Sequence, residues 1–408
     1  MAVSNHDYKY GRPMLFGINE RGRGKYAFID LHSANRNNQP PLTLITGKPG
    51  SGKTYAMLWL LSLSAIQGAA VVGIDWKGDL LKIAEANHIL GINSKVFSVD
   101  PKDPKNQGIL DPFVIFDSDD PDESSSDILT AVHSLCHSLL PGALADISIG
   151  GWVDTTIKDT IAEPRSERSM TTFIDKLLKV ARDSGREKLT DFALNLESRL
   201  NGGAGKILCA ESDRKPARYF EFETGITVID LSELHELPKN IQELNDPSKA
   251  VGQAILTMIN LLIRQSMLRM EKNIRKVLVI DEAWSILANP SGMALVESTT
   301  RLGRSFNLSV VLATQNYSEI FNDTNNLNTS FASTHFAFNN SEEDAAIGAK
   351  AMGLKGDNAE QAIDAITKLD QGECFMQDIR KRRGLVYVEI WLPDLPEIFD
   401  SNPYATKD

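Results

Sequence analysis

Eight consecutive residues, Gly47-Lys48-Pro49-Gly50-Ser51-Gly52-Lys53-Thr54, constrain this chain more than any others. They match the pattern Gly-x-x-x-x-Gly-Lys-Thr in full. An apolar run, Leu42–Thr46, leads into them, and a helix-patterned segment, Gly52–Gln67, follows and is closed by Gly68. Glycines here let the backbone curl until successive N–H groups point inward, and the helix adds its positive N-terminal end. Such a cradle binds phosphates. Lys53 is then placed to neutralise the β and γ phosphates of a nucleoside triphosphate, and the Thr54 hydroxyl to ligate Mg²⁺. A glycine-rich turn before an amphipathic helix would share the glycines but not the strand–loop–helix context.

Further apolar runs recur at Ala70–Asp75, Lys95–Asp100, Gly225–Leu231, Lys276–Asp281, Leu308–Thr314 and Thr334–Phe338. Near-continuous apolar strands alternating with helices mark a parallel sheet covered on both faces. One of these helices, around Ser248–Glu271, carries an apolar stripe at Ile255, Met258, Ile259 and Leu262. Runs near Met14–Ile18 and Lys25–Leu31 predict edge strands, and Gly372–Ile379 with Leu385–Leu392 predicts a hairpin around the basic turn Arg380–Gly384. Between residues 115 and 215 the β/α rhythm lapses. Asp117–Asp127 reads as an acidic, solvated linker ending in a helix N-cap, and helices are predicted at 127–140, 171–183 and 189–200 before the turn-rich Asn201–Gly205. The expected fold is α/β: a P-loop NTPase (RecA-like) with a mainly parallel sheet sandwiched by helices and a mostly helical insertion subdomain. Residues 1–114 would hold the N-terminal strands and the P-loop part, 115–215 the insertion, and 216–408 the remainder with its C-terminal hairpin.

The partner motif is Lys276-Val-Leu-Val-Ile-Asp281-Glu282. Four apolar residues bury the strand, and its C-terminal end delivers carboxylates beside the P-loop. Asp281 would hold Mg²⁺ through water, and Glu282 would act as general base on the attacking water. A third strand, Leu308–Thr314, ends in Gln315, an amide suited to the γ-phosphate or the lytic water. Arg301 and Arg304 stand at i and i+3 near a helix end, either as a solvated face or as arginines reaching a neighbouring subunit's nucleotide. ATP is favoured over GTP because no guanine-reading Asn-Lys-x-Asp is present.

Bulk properties narrow the remaining classes. A net charge of −11 argues against a surface broadly attracted to nucleic acid. Any DNA contact would come from a local basic patch, such as Arg380–Arg383, or from a pore built by several subunits. Cys136, Cys209 and Cys374 lie too far apart to suggest a disulfide framework. The greasiest stretch, Met57–Ile74, is broken by Ser62, Ser64, Gln67 and Gly68, and reads as a helix followed by a buried strand rather than a membrane span. The N-terminus is polar and lacks a signal pattern. His133, Cys136 and His137 share a helix face at metal-ligand spacing, but without a fourth ligand nearby they read as helix packing.

Gly47–Thr54, Asp75-Trp-Lys-Gly-Asp79, Asp281-Glu-Ala-Trp284, and Arg301-x-x-Arg304 followed by Ala313-Thr-Gln315 together resemble the HerA/FtsK division of P-loop motors. Within it, the chain is similar to the C-terminal ATPase domain of the VirB-type conjugation ATPases of type IV secretion systems, from about residue 14 to Asn402-Pro403. That resemblance implies a hexameric ring with ATP sites at subunit interfaces, energising channel assembly or the transfer of DNA and protein. It implies channel proteins at the inner membrane face as partners, and a cytoplasmic location peripheral to the membrane. It also implies Arg304, eleven residues before Gln315, as the finger acting in trans. The family favours Asp-Pro-x-Gly-Glu where this chain has Trp76 and Asp79, so Asp79 receives no role. The family's large N-terminal membrane-associating domain is not in this sequence, which fits an isolated ATPase domain or a natural short form. Two other functions fit the motifs: a DNA translocase of the coupling-protein or FtsK type, and an ATP-binding assembly module with little hydrolysis. Glu282 argues against the last.

Overall fold

The structure, a computed structural model, describes residues 12–19, 25–117, 121–210, 222–234, 243, 246–287, 290–321 and 332–400. The strands, in chain order, are β1 (Met14–Asn19), β2 (Lys25–Ile29), β3 (Leu42–Thr46), β4 (Ala70–Asp75), β5 (Ser94–Ser98) and β6 (Gly225–Asp230). They continue with β7 (Lys276–Ile280), β8 (Leu308–Thr314), β9 (Ala332–Phe338), β10 (Glu373–Gln377) and β11 (Arg383–Val388). All join one sheet in the order β2-β1-β11-β10-β9-β3-β8-β7-β4-β6-β5. From β9 to β5 every pairing is parallel, and from β9 outward through β10, β11, β1 and β2 every pairing is antiparallel.

Strands β3, β4, β6, β7, β8 and β9 are buried along their whole length. Their side chains alternate between the two faces, as a pleated strand requires. Val277, Val279, Val311 and Ala313 enter one core, whereas Leu278, Ile280, Val310 and Leu312 enter the other. The first core is covered by helix α1 (Lys53–Ile66), which is apolar nearly all round and correspondingly buried. Its Ser62 and Ser64 hydroxyls donate to the Leu58 and Leu60 carbonyls at 2.8 Å, so neither needs water.

The second core contains the helical segment: α2 (Pro121–Leu139), α3 (Ile147–Ile161), α4 (Met170–Ser184) and α5 (Glu187–Leu200). It is bridged to the sheet by α6 (Pro247–Arg269) and α7 (Pro290–Phe306), and α8 (Glu342–Ala351) and α9 (Asp357–Thr367) follow β9. α6 has the length and hydropathy of a membrane span, yet 72% of its apolar window is buried, packed chiefly against α2 and α7. The helical segment is pinned at its root by Asp111, which is fully buried. One carboxylate oxygen accepts from the Phe113 N–H at 2.9 Å, and the other from the Met170 and Ala210 N–H groups at 2.8 Å each.

Two local expectations change. The acidic stretch 117–127 is not a loop that ends at a cap, because α2 already begins at Pro121 (residues 118–120 lie outside the described set). Proline and carboxylates suit a first helical turn as well as they suit a linker. The terminal hairpin forms, but its second strand starts at Arg383 and stops at Val388. Asp378 closes the turn by accepting from the Arg380 and Arg382 N–H groups at 2.9 Å each and from Arg382 Nε at 2.7 Å.

Candidate functional site

The loop Gly47–Gly52 is tied to the ends of its neighbouring strands. The Gly47 N–H donates to the Gln315 carbonyl after β8 at 3.1 Å, and the Lys48 N–H to the Asn339 carbonyl after β9 at 3.0 Å. Gly50 and Gly52 take left-handed backbone angles, φ +77° and +100°. At Gly50 the angle alone demands glycine, since nothing lies within 4 Å of an added Cβ. Within the loop the Ser51 hydroxyl is buried with no hydrogen-bond partner. α1 starts at Lys53, so its N-terminal end faces this cradle.

The apolar strand β7 runs out at Asp281-Glu282, both buried. Glu282 sits at φ +47°, a left-handed conformation costing a non-glycine residue about 1 kcal/mol. It is held there by its own N–H on Asp281 Oδ1 at 2.9 Å and by the Ser285 N–H and hydroxyl on its carbonyl at 2.9 and 2.7 Å. Four side chains converge on its carboxylate. Lys77 Nζ pairs with Oε1, Lys53 Nζ stands 3.7 Å and Gln315 Nε2 3.4 Å from the same oxygen, and Trp284 Nε1 donates to Oε2 at 2.8 Å. Burial would raise the Glu282 pKa, but Lys77, Lys53 and Trp284 together hold it below the usual value. Asp281 goes the other way. Burial lifts it to about 6, Lys53 pulling back and Glu282 and Asp75 adding to the rise.

Lys77 had no role in the sequence reading. It is presented by Asp75, wholly buried at the end of β4, whose carboxylate accepts from the N–H groups of Lys77 (3.1 Å), Gly78 (2.9 Å) and Leu80 (2.7 Å). β4 and β7 are parallel neighbours, so the loop after one meets the loop after the other. That adjacency is the signal that finds Lys77.

A cavity of about 810 Å³ opens here, with Lys48, Pro49, Gly50, Gly52, Lys53, Thr54, Lys77, Glu282 and Gln315 in its wall. Arg304 is not among them. It is exposed on the last turn of α7, its guanidinium donating to the Asn38 carbonyl at 3.2 Å and side-chain oxygen at 2.6 Å. Among the described residues no three His, Cys, Asp or Glu side chains gather as a metal site. Cys136 points into the core and His133 pairs with Asp154 on α3. At the loop, Thr54 and Asp281 offer a hydroxyl and a buried carboxylate. This sparse oxygen set suits a cation such as Mg²⁺, which takes its other ligands from phosphate and water. The unpartnered Ser51 hydroxyl and the two ammonium groups fit a triphosphate beside it.

Comparison with known proteins bears on this arrangement. The profile of a family described as an AAA-like domain matches residues 31–399. No curated protein sequence matches the chain. Among solved structures, VirB4 of Thermoanaerobacter pseudethanolicus superposes with a TM-score of 0.68 at 16% identity, covering 96% of this chain and 98% of that one. The bacterial conjugative coupling protein TrwB superposes at 0.53 and 15% identity, covering 95% of this chain and 92% of that one. TrwB in complex with ADP and Mg²⁺ gives 0.55 at 15% identity, covering 95% and 93%. At such identities the likeness is one of fold.

Proposed function

The chain belongs to the AAA-like domain family and is a P-loop ATPase, and from that premise we propose a ring-forming motor of the type IV secretion (conjugation) kind. The observation that carries this is the convergence of Lys53, Lys77 and Gln315 on one oxygen of Glu282 in the wall of the cavity. The fold shared with VirB4 and with TrwB supports it.

In this reading the P-loop N–H groups and Lys53 hold the β and γ phosphates of ATP. The Thr54 hydroxyl and the Asp281 carboxylate would hold Mg²⁺, which would supply positive charge against the phosphates. Glu282 accepts the proton of the attacking water once the ammonium groups turn from it to phosphate, and Gln315 orients that water or reads the γ-phosphate. Arg304 serves a neighbour's site in a hexamer, a role supported by its exposure and its distance from its own cavity. The helical segment 115–215 rides on the ATPase domain as an insertion. Channel proteins at the cytoplasmic face of the membrane are its partners.

Steady-state ATPase activity of the wild type, Lys53→Ala and Arg304→Ala, measured across protein concentration, tests this. Lys53→Ala should abolish turnover at every concentration. Arg304→Ala should abolish the rise with concentration while leaving ATP binding intact. An unchanged rise in the arginine variant would refute the shared site. Steep, salt-sensitive stimulation by DNA would instead favour a motor that threads DNA directly.

A further inference from the structure

The phosphate-loop groups form only part of the cavity wall. Beyond them its wall is built by residues remote in sequence: Gly372 before β10, Tyr387 and Val388 on β11, and Pro396 and Asp400 at the last short helix. Gly372 explains how this wall reaches the P-loop. At φ +83° its bare backbone packs directly on the loop, its N–H donating to the Ser51 carbonyl at 3.0 Å. A Cβ on Gly52 would stand 3.0 Å from the Gly372 Cα, and a Cβ on Gly372 would stand 3.2 Å from Tyr387 Cε2. The P-loop, the Gly372 backbone and the Tyr387 ring are therefore successive layers in contact. The ring sits one backbone thickness from the phosphate cradle.

Tyr387 is 38% exposed, whereas Val386 and Val388, its neighbours along β11, are buried. Its ring abuts Gly372 and lines the cavity. Tyr55, in the first turn of α1, also lines the cavity. Burial, then Tyr387 and Asp400, push its hydroxyl up to about 12, so it stays a neutral phenol there.

We propose that Tyr387 is the stacking platform for the nucleobase, so that this hairpin residue sets affinity for a nucleotide over a bare polyphosphate. The proposal rests on the phosphate-loop reading above. A π-face next to a phosphate cradle is what a base-bearing triphosphate needs, because every base offers a flat face to stack and the geometry tolerates its identity.

Calorimetric titration with ATP and with inorganic tripolyphosphate, which has no base, separates the two readings. Tyr387→Ala should weaken ATP binding about tenfold or more and leave tripolyphosphate within twofold. Tyr387→Leu, which keeps apolar bulk against Gly372, should show the same split, and Tyr387→Phe should restore ATP affinity. Equal losses for both ligands in Tyr387→Leu, or no loss of ATP affinity, would overturn the stacking role. Retention of both ligands by Lys53→Ala would overturn the phosphate-loop reading instead.

Discussion

Replacing Glu282 by glutamine removes one negative charge from a site where two ammonium groups compete for it. Lys53 lies 3.7 Å from Glu282 Oε1, with both side chains buried. Two unit charges at that separation attract by about 1 kcal/mol in bulk water and about 4.5 kcal/mol at an effective dielectric of 20. Lys53 must give up that attraction to engage phosphate, and in Glu282→Gln it need not. Even the lower figure converts to about fivefold tighter ATP binding. Loss of the proposed general base acts in the opposite sense on turnover, lowering it by about 10² to 10⁴. Glutamine can still accept from Trp284, so the left-handed turn at Glu282 keeps its side-chain anchor. Equilibrium ATP binding and single-turnover hydrolysis, run on the same preparation, read both effects. Turnover at the wild-type rate would refute the general-base role. ATP binding weaker than wild type would refute the competition argument.

Two further outcomes follow from the electrostatics. In Lys77→Met the main force holding the Glu282 pKa down is gone, so the acidic limb of the kcat/KM profile should move to higher pH; an unmoved limb would mean that Lys77 does not govern this carboxylate in the free enzyme. His32 is buried with its ring on the Lys276 carbonyl at 3.1 Å, and burial, then Arg275, lower its pKa to about 4. As pH falls below 6.5 the unfolded chain takes up the proton before the folded one does, so stability present above 6.5 is lost towards pH 4, by up to about 3 kcal/mol. His32→Gln, which can still donate to that carbonyl, should flatten the pH dependence of the urea midpoint in this window, and parallel curves for the two proteins would contradict the assignment.

Much of the phosphate site was legible because its chemistry is local. An apolar run, a glycine loop and a helix start are consecutive, and their geometry depends on nearest neighbours alone. The same holds for β7, whose apolar residues can only be buried and whose next two residues are therefore delivered to a strand end. The acidic stretch before α2 misled because carboxylates and proline stabilise a helix start and also solvate a loop. Helix α3 went unread because Gly150, Gly151 and its threonines weaken the helical pattern, the hydroxyls of Thr155, Thr156 and Thr160 folding back on carbonyls one turn earlier.

From the sequence alone came the phosphate cradle, the two carboxylates that end β7, the mainly parallel sheet and the surface placement of a charged helix end at Arg304. Only tertiary structure decided which groups share Glu282. The order β3-β8-β7-β4 sets the ends of four strands side by side, and so brings Lys53, Gln315, Glu282 and Lys77 together from positions scattered along the chain. It likewise decided that a tyrosine near the C-terminus stands one backbone layer from the P-loop. Strand order is a property of how the faces of a whole sheet are covered, and no window of sequence contains it.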